Sequence, residues 1–239
     1  MTRYHLMVAT GPEDLARQVS QQIAAAIDLS LAERDRAQIA LAGGESPRAA
    51  YKRLGQEHLP WDRVDVLLGD ERWVPASDPA SNARMLRETL LSEPPASHAC
   101  FHPVPTDRST AEESAVAYGE LLQQLCPGEP PRLDLVLLGL GDDGHTASLF
   151  PGTAATKVVD QAVTIGEGKG LPRITLTAPV LSEARTVIFL VSGSGKREAL
   201  QRLLDPDESA ERTPARLVSP RSQVVVLADP EAAADLPRG

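Results

Sequence analysis

The chain of 239 residues is poor in aromatic and sulfur-containing side chains. Phe, Trp and Tyr together make up 3% of it, and there are two cysteines, Cys100 and Cys126. Two cysteines without metal-ligand spacing exclude a disulfide framework as the basis of the fold. We therefore expect two reduced thiols, in a chain long enough to bury one substantial hydrophobic core.

Long hydrophobic runs and an excess of basic residues are also missing. No apolar segment approaches the roughly 20 residues that cross a bilayer, and the amino terminus lacks the apolar stretch of a secretory signal. We therefore expect a cytoplasmic protein with no membrane partner. The formal charge of −9 argues against a nucleic-acid partner. A small anionic substrate is compatible with this charge, because a few cations in a cleft can outweigh a distant acidic surface.

Short apolar runs alternate with longer amphipathic stretches along the chain. This alternation predicts an α/β fold: a single domain over residues 1–239 with a mostly parallel, Rossmann-like open sheet and helices on both faces. The predicted strands are 4–9, 39–42, 64–68, 133–138, 173–177, 186–191 and 223–228. The predicted helices are 13–36, 47–58, 82–91, 111–126 and 196–204, with a polar loop at 70–82, an irregular loop at 92–108 and a mobile loop at 153–170.

The most informative segment is residues 133–152, LDLVLLGLGDDGHTASLFPG. A buried strand is followed by a glycine-rich turn that brings Asp142, Asp143 and His145 to the strand's carboxyl end, where open α/β sheets bind ligands. A histidine there can titrate near neutral pH, and a neighbouring carboxylate can orient its ring. The alternatives are a structural histidine and a metal site, which usually needs further His, Cys or carboxylate ligands.

Two further glycine turns each connect a predicted strand to a predicted helix. In residues 41–48, LAGGESPR, the amides around Gly43 and Gly44 and the hydroxyl of Ser46 could bind a phosphate. A tight turn in which Ser46 caps the helix has the same pattern. The other turn, VSGSGK, ends in Lys196, which is either an anion ligand or a surface lysine in the first helical turn.

Charged residues border two other predicted strands. The segment GDERWVP follows the third strand and could bring two carboxylates, Asp70 and Glu71, and the cation Arg72 into the cleft of His145. The alternative is a solvated loop with a local ion pair. Arg173 opens a later strand and is either a second anion ligand or an exposed strand-end arginine.

Other candidate residues lack a supporting pattern. His98 and His102 fall in the irregular loop and are interpreted as surface residues. The turn around Ser194 lacks the leading residues of a Gly-x-Ser-x-Gly nucleophile elbow, so a nucleophilic serine enzyme is not predicted.

Taken in chain order, these motifs resemble the 6-phosphogluconolactonase family of the oxidative pentose phosphate pathway, which is related to glucosamine-6-phosphate deaminase. The pattern Gly-x-Gly-x-Asp-Gly-His-x-Ala-Ser-Leu-Phe-Pro-Gly after a strand is matched throughout. The resemblance extends over most of the chain, to about Leu204, and is sharpest at residues 41–47, 69–75, 81–82, 139–152 and 173–177.

Two positions favour the lactonase over the deaminase. The deaminase pattern has a glutamate where this chain has Phe150, which cannot transfer a proton, and a tyrosine where it has Arg72. The glycine loop departs from the lactonase pattern Ser-Gly-Gly-Ser-Thr-Pro at Ala42, Glu45 and Ser46. Ala42 stands where the glycine loop often has a serine, which removes one possible phosphate donor, and Glu45 is expected to face solvent.

The resemblance implies hydrolysis of 6-phospho-D-glucono-1,5-lactone, with no metal or cofactor, by a monomer or weak homo-oligomer. In this interpretation His145 is the general base, Asp143 orients its imidazole, and Arg72 stabilises negative charge. The implied substrate-binding residues are Gly43, Gly44, Ser46, Asp70, Asn82, Arg173 and Lys196. The alternatives are an amino-sugar phosphate isomerase or deaminase and a non-catalytic sugar-phosphate-binding regulator.

Overall fold

The computed structural model describes residues 2–236, so the predicted domain over 1–239 extends beyond the described residues at both ends. The strands are β1 (Tyr4–Val8), β2 (Ala37–Leu41), β3 (Val64–Leu68), β4 (Asp70–Arg72), β5 (Cys100–Phe101), β6 (Leu135–Gly139), β7 (Val163–Gly168), β8 (Leu171–Leu176), β9 (Thr186–Val191) and β10 (Val224–Ala228). The helices are α1 (Pro12–Glu33), α2 (Arg48–Leu54), α3 (Asn82–Glu88), α4 (Ala111–Leu125), α5 (Ala178–Glu183) and α6 (Arg197–Leu204). Within residues 2–236, no helix has the length and apolar character needed to cross a membrane.

Seven strands form one sheet in the order β1-β10-β9-β6-β2-β3-β5, and every pairing in it is parallel. The predicted α/β fold with a mostly parallel open sheet is confirmed. All five residues of β2 and of β3 are buried, as are the first four of β6. Strands covered on both faces have nearly continuous apolar sequences, interrupted here by Gln38 and Asp65, which is why the sequence revealed them. Because these strands are parallel, their carboxyl ends meet at one edge.

The longest helix, α1, packs an apolar stripe against this sheet. Leu15, Val19, Ile23 and Ile27 are buried and recur at the spacing of one helix face. Pro12 stands at the start of the helix, where its missing N–H costs nothing. The helix contacts α2, β2, β6 and β10, so it covers the centre of the sheet.

A second, antiparallel sheet of three strands, in the order β4-β8-β7, corrects two predictions. Residues 70–82 are not simply a polar loop, because they begin with β4. Residues 153–170 are not a mobile loop, because they contain β7 and its turn into β8. Lys169 and Gly170 have φ of 53° and 79°, the left-handed conformation of a two-residue hairpin turn. A three-residue strand has no readable period, and its partner lies far along the chain, so sequence patterns do not reveal it.

The interpretation of His102 as a surface residue is wrong. Its side chain is 23% exposed, and Nε2 lies 2.9 Å from Oδ1 of the buried Asp65. Arg36 and Gln38 donate to the same carboxylate. Burial alone would raise the pKa of Asp65, but these hydrogen bonds outweigh it and lower the pKa. The cluster lies at the amino ends of β2 and β3, opposite the candidate site, whereas His98 is exposed as expected.

Tyr118 of α4 completes the hydrogen bonding of β3. The neighbouring β5 pairs with β3 only at Asp65 and Val66, so it does not reach Leu68. There the Tyr118 hydroxyl accepts from the Leu68 amide at 2.8 Å and donates to the Leu68 carbonyl at 3.0 Å. One hydroxyl thus replaces a missing strand partner, just before the chain enters the candidate site.

We expect Tyr118→Phe to lower the free energy of unfolding by about 2 to 6 kcal/mol, because it leaves two buried backbone groups unpaired at about 1 to 3 kcal/mol each. Denaturant-induced unfolding measures this loss. Tyr51→Phe is the matched control, since the buried Tyr51 hydroxyl makes one bond, to the Ala42 carbonyl at 2.7 Å. An equal loss in the two variants would contradict the bridging role.

Candidate active site

The carboxyl edge of the large sheet and the small sheet together enclose a pocket of about 220 Å³. Its walls are the segments after β2, β3, β6 and β9 and the turn between β7 and β8. Nine of the ten residues predicted for the site line it: Gly43, Gly44, Ser46, Asp70, Arg72, Asn82, His145, Arg173 and Lys196. The tenth, Asp143, contacts His145. The fold therefore gathers the predicted residues in one place.

The imidazole of His145 is held by its own loop. Asp143 Oδ1 lies 2.5 Å from Nδ1 and accepts the backbone N–H of His145 at 3.0 Å. A Cβ on Gly141 would lie 2.0 Å from Nδ1, so the ring requires glycine there. Burial lowers the pKa of His145 below its ordinary 6.5, although Asp143 acts in the opposite direction. With the Nδ1 proton donated to Asp143, Nε2 is the nitrogen that can accept a proton.

The glycine loop after β2 is shaped by Asn82. A Cβ on Gly43 would lie 1.8 Å from the Asn82 Oδ1, so the loop backbone packs directly on this amide. Gly44 has φ of 93°, a conformation that favours glycine. Asn82 Nδ2 donates to the Asp70 carbonyl at 2.8 Å, and Oδ1 accepts from Arg72 at 2.8 Å. Asn82 thus joins Arg72 to the residue at the start of β4.

The alternative interpretation, in which the Ser46 hydroxyl caps helix α2, is wrong. The N-cap of α2 is Pro47, and no side-chain hydrogen bond caps the helix. Instead Ser192, which follows β9, donates its hydroxyl to Ser46 Oγ at 2.7 Å. Ser192 thereby adds a second hydroxyl to a loop in which Ala42 provides none. The Glu45 side chain is 86% exposed and faces solvent, as expected.

Two arginines face each other across the small sheet. Arg72 of β4 and Arg173 of β8 are direct cross-strand partners, and like charges in such a pair repel. Burial, and in part Arg72, lowers the pKa of Arg173. Asp70 offsets some of this repulsion, with Oδ2 3.6 Å from Arg173 Nη1. The pair is therefore suited to an anionic ligand.

Glu71 does not line the pocket, contrary to the suggestion that both carboxylates share the cleft. It is 1% exposed and turned toward the start of α3, where it accepts the backbone N–H groups of Asn82 and Ala83 and the Ser81 hydroxyl. Burial raises the pKa of Glu71 despite these bonds. Strand alternation is the signal that could have revealed this, because Glu71 must point away from its two neighbours in β4.

Lys169 and Ser192 also line the pocket, although the sequence analysis did not select them. Lys169 occupies the hairpin turn, with Nζ 3.8 Å from Asp142 Oδ1. The only local signal for it was the Lys-Gly pair between two short strands. Lys196 lies just before α6, at the end of the helical turn Ser194–Lys196. Within residues 2–236, no group of three or more His, Cys, Asp or Glu side chains could hold a metal ion.

Comparison with known proteins agrees with this geometry. Residues 10–227 match the family model of glucosamine-6-phosphate isomerases/6-phosphogluconolactonase. A 6-phosphogluconolactonase from Synechocystis sp. is 41% identical over 213 residues, 88% of this chain and 89% of the relative, and one from Nostoc sp. is 40% identical over the same coverage.

Solved structures show the same relationship. The 6-phosphogluconolactonase from Trypanosoma brucei superposes with a TM-score of 0.89 at 32% identity, covering 99% of this chain and 100% of that one. A monomeric glucosamine-6-phosphate deaminase has a TM-score of 0.81 at 22% identity, covering 98% of this chain and 99% of the other, which shows the common fold. The chain belongs to the glucosamine-6-phosphate isomerase/6-phosphogluconolactonase family.

Proposed function

We propose that the chain hydrolyses 6-phospho-D-glucono-1,5-lactone to 6-phospho-D-gluconate in the oxidative pentose phosphate pathway. The observation that carries this proposal is the pocket itself. It combines an imidazole held by a carboxylate with a glycine loop and several cations. The name 6-phosphogluconolactonase, borne by the relatives from Synechocystis and Nostoc, supports the same substrate.

His145 acts as the general base on a water molecule that attacks the lactone carbonyl. Its Nε2 takes the proton of the water, while Asp143 stabilises the imidazolium that forms. When the tetrahedral intermediate collapses, the bond between the former carbonyl carbon and the ring oxygen breaks. His145 then returns the proton to that oxygen. A lactone is already an activated ester, so positioned acid–base assistance of about 10²- to 10⁴-fold is sufficient help.

The phosphate of the substrate binds at the glycine loop. Support for this comes from the pocket lining, which includes Gly43, Gly44, Lys196 and the hydrogen-bonded pair Ser46 and Ser192. Backbone amides and a cation at a helix start are a common phosphate site. Holding this unreactive group orients the carbonyl toward the water, which raises the effective concentration of the reacting groups.

Arg72 and Arg173 stabilise the negative charge of the substrate and of the oxyanion. Arg72 is already oriented by Asn82 and by the Ala80 carbonyl, so little reorganisation is needed during the reaction. Phe150 argues against deaminase chemistry, because it is an apolar, buried residue at the position where the deaminase pattern has a glutamate. We propose that the protein works in the cytoplasm as a monomer or weak homo-oligomer, without nucleic-acid or membrane partners.

His145→Gln should lower kcat by about 10²- to 10⁴-fold, because it removes the base while nearly preserving the side-chain volume. The assay uses freshly generated phosphogluconolactone and subtracts spontaneous opening. Binding of 6-phosphogluconate, measured by calorimetry, should change little. Full activity in this variant would refute the assignment of the base.

Lys196→Met should raise KM for the phosphorylated lactone by about 10-fold or more, since a hydrogen bond to a charged group contributes about 1.5 to 3 kcal/mol. The comparison substrate is unphosphorylated gluconolactone, for which the effect should be small. Lys52→Met, at an exposed lysine of α2, is the control. Equal effects on both lactones would remove Lys196 from the phosphate site.

The pH dependence follows from the lowered pKa of His145. Protonation destroys the base, so kcat/KM should fall as the pH decreases through this pKa, with a midpoint below the ordinary 6.5. Above the midpoint this group is neutral and imposes no further change. The pH profile of the corrected initial rates measures the midpoint, and a value above 6.5 would contradict the burial of the ring.

A further inference from the structure

Phe150 contacts the imidazole and one of the arginines at the same time. Its side chain is buried, and its ring centroid lies 4.3 Å from that of His145, with 33° between the planes. The guanidinium carbon of Arg173 lies over the same ring, 5.5 Å from the centroid. His145 and Arg173 therefore share one aromatic neighbour, Phe150, which has no role in the proposed mechanism.

The chain makes a specific place for this ring. A Cβ on Gly168, at the end of β7, would lie 2.4 to 2.6 Å from three atoms of the Phe150 ring. The ring therefore rests against bare backbone that only glycine can offer. The bridge between Thr146 and Leu149 folds the chain so that Phe150 returns beside His145.

Without the aromatic ring the imidazole would be poorly oriented. The hydrogen bond to Asp143 holds Nδ1 but does not define the plane of the ring, and the terminal torsion of histidine is soft. The Gly141 backbone lies against the Nδ1 edge, and Phe150 lies against the ring itself. Together these contacts leave one orientation, in which Nε2 has no hydrogen-bond partner within the described residues.

We propose that Phe150 is a positioning residue for His145: its ring holds the imidazole plane and keeps water from it, so that Nε2 stays aimed at the reacting water. This inference rests on the proposed function, since it assigns His145 as the base. Phe150 itself does not react. The same ring supports the Arg173 guanidinium by a cation–π contact.

Several charged groups surround the imidazole and set the background for a test. Asp143 and Asp142 lie on its own loop, Lys169 on the hairpin turn, Asp70 on β4 and Arg173 on β8. Burial lowers the pKa of His145 most strongly; Asp143 and Asp70 raise it, and Lys169 lowers it. Removing the ring of Phe150 changes the burial of the imidazole and deletes none of these charged groups.

The decisive experiment compares Phe150→Leu with Phe101→Leu. Phe101, in β5, has the same kind of contact, with the Arg87 guanidinium 5.1 Å from its ring centroid, whereas the ring of Phe150 contacts His145 and Arg173. The measurement is an NMR titration of the imidazoles, in which the His145 signal is the one lost in His145→Gln. We expect the His145 pKa to rise toward 6.5 in Phe150→Leu and to stay unchanged in Phe101→Leu. In Phe150→Leu we expect kcat to fall about 10-fold and KM to rise by a smaller factor. A misplacement of about 1 Å can lower a rate about 10²-fold, so a smaller displacement of the imidazole accounts for this loss.

Gly168→Ala tests the same contact without replacing Phe150 itself. Its methyl group must displace the ring, so the His145 pKa should shift in the same direction as in Phe150→Leu. In the unmodified protein, nuclear Overhauser contacts between the Phe150 and His145 rings should be present. This last measurement needs no variant to fold.

Absent ring-to-ring contacts, or an unchanged His145 titration and kcat in both Phe150→Leu and Gly168→Ala, would overturn the positioning role. Equal changes in Phe101→Leu would assign the effect to general destabilisation and would also overturn it. A protein without lactonase activity would instead refute the proposed function, and the titration would still show whether the ring holds the imidazole.

Discussion

The carboxamide of Asn82 joins the parts of the pocket that must not move relative to one another. It fills the space above the Gly43 backbone, donates to the Asp70 carbonyl and accepts from Arg72. Its own backbone N–H is held by the buried carboxylate of Glu71. Buried hydrogen bonds of this kind restrain the groups that they join, although the buried Nε of Arg72 makes none. One side chain thereby connects the glycine loop of the large sheet with an arginine of the small sheet.

Within this frame, two unfavourable arrangements are useful to the chemistry. Burial disfavours the charged form of the His145 imidazole and lowers its pKa, so the ring stays neutral at a lower pH than an exposed histidine, as the proposed role requires. Two facing arginines repel each other until an anion comes between them. Neither arrangement would persist in an isolated segment. The large sheet, the hairpin and α3 supply the stability that tolerates them.

Much of this could be predicted because the relevant signals are local. The buried strands β2, β3 and β6 are mostly apolar, with Gln38 and Asp65 as the polar exceptions, and glycines mark the turns that follow β2 and β6. What failed were features that depend on distant partners. β4 is too short to show a period, and β7 is hidden among glycines until it pairs with β8. The small sheet, which the sequence did not reveal, turns Glu71 away from the pocket toward α3 and brings Lys169 into the pocket lining.

The sequence by itself determined which strands are buried and which chemical groups leave their carboxyl ends, since burial and turn chemistry act over a few neighbouring residues. Tertiary structure alone decided that Ser192 would meet Ser46, that Arg173 would oppose Arg72, and that the Arg173 guanidinium would lie over the ring of Phe150. These contacts join segments far apart in the chain. Only the order and register of the strands place them within hydrogen-bonding or van der Waals distance.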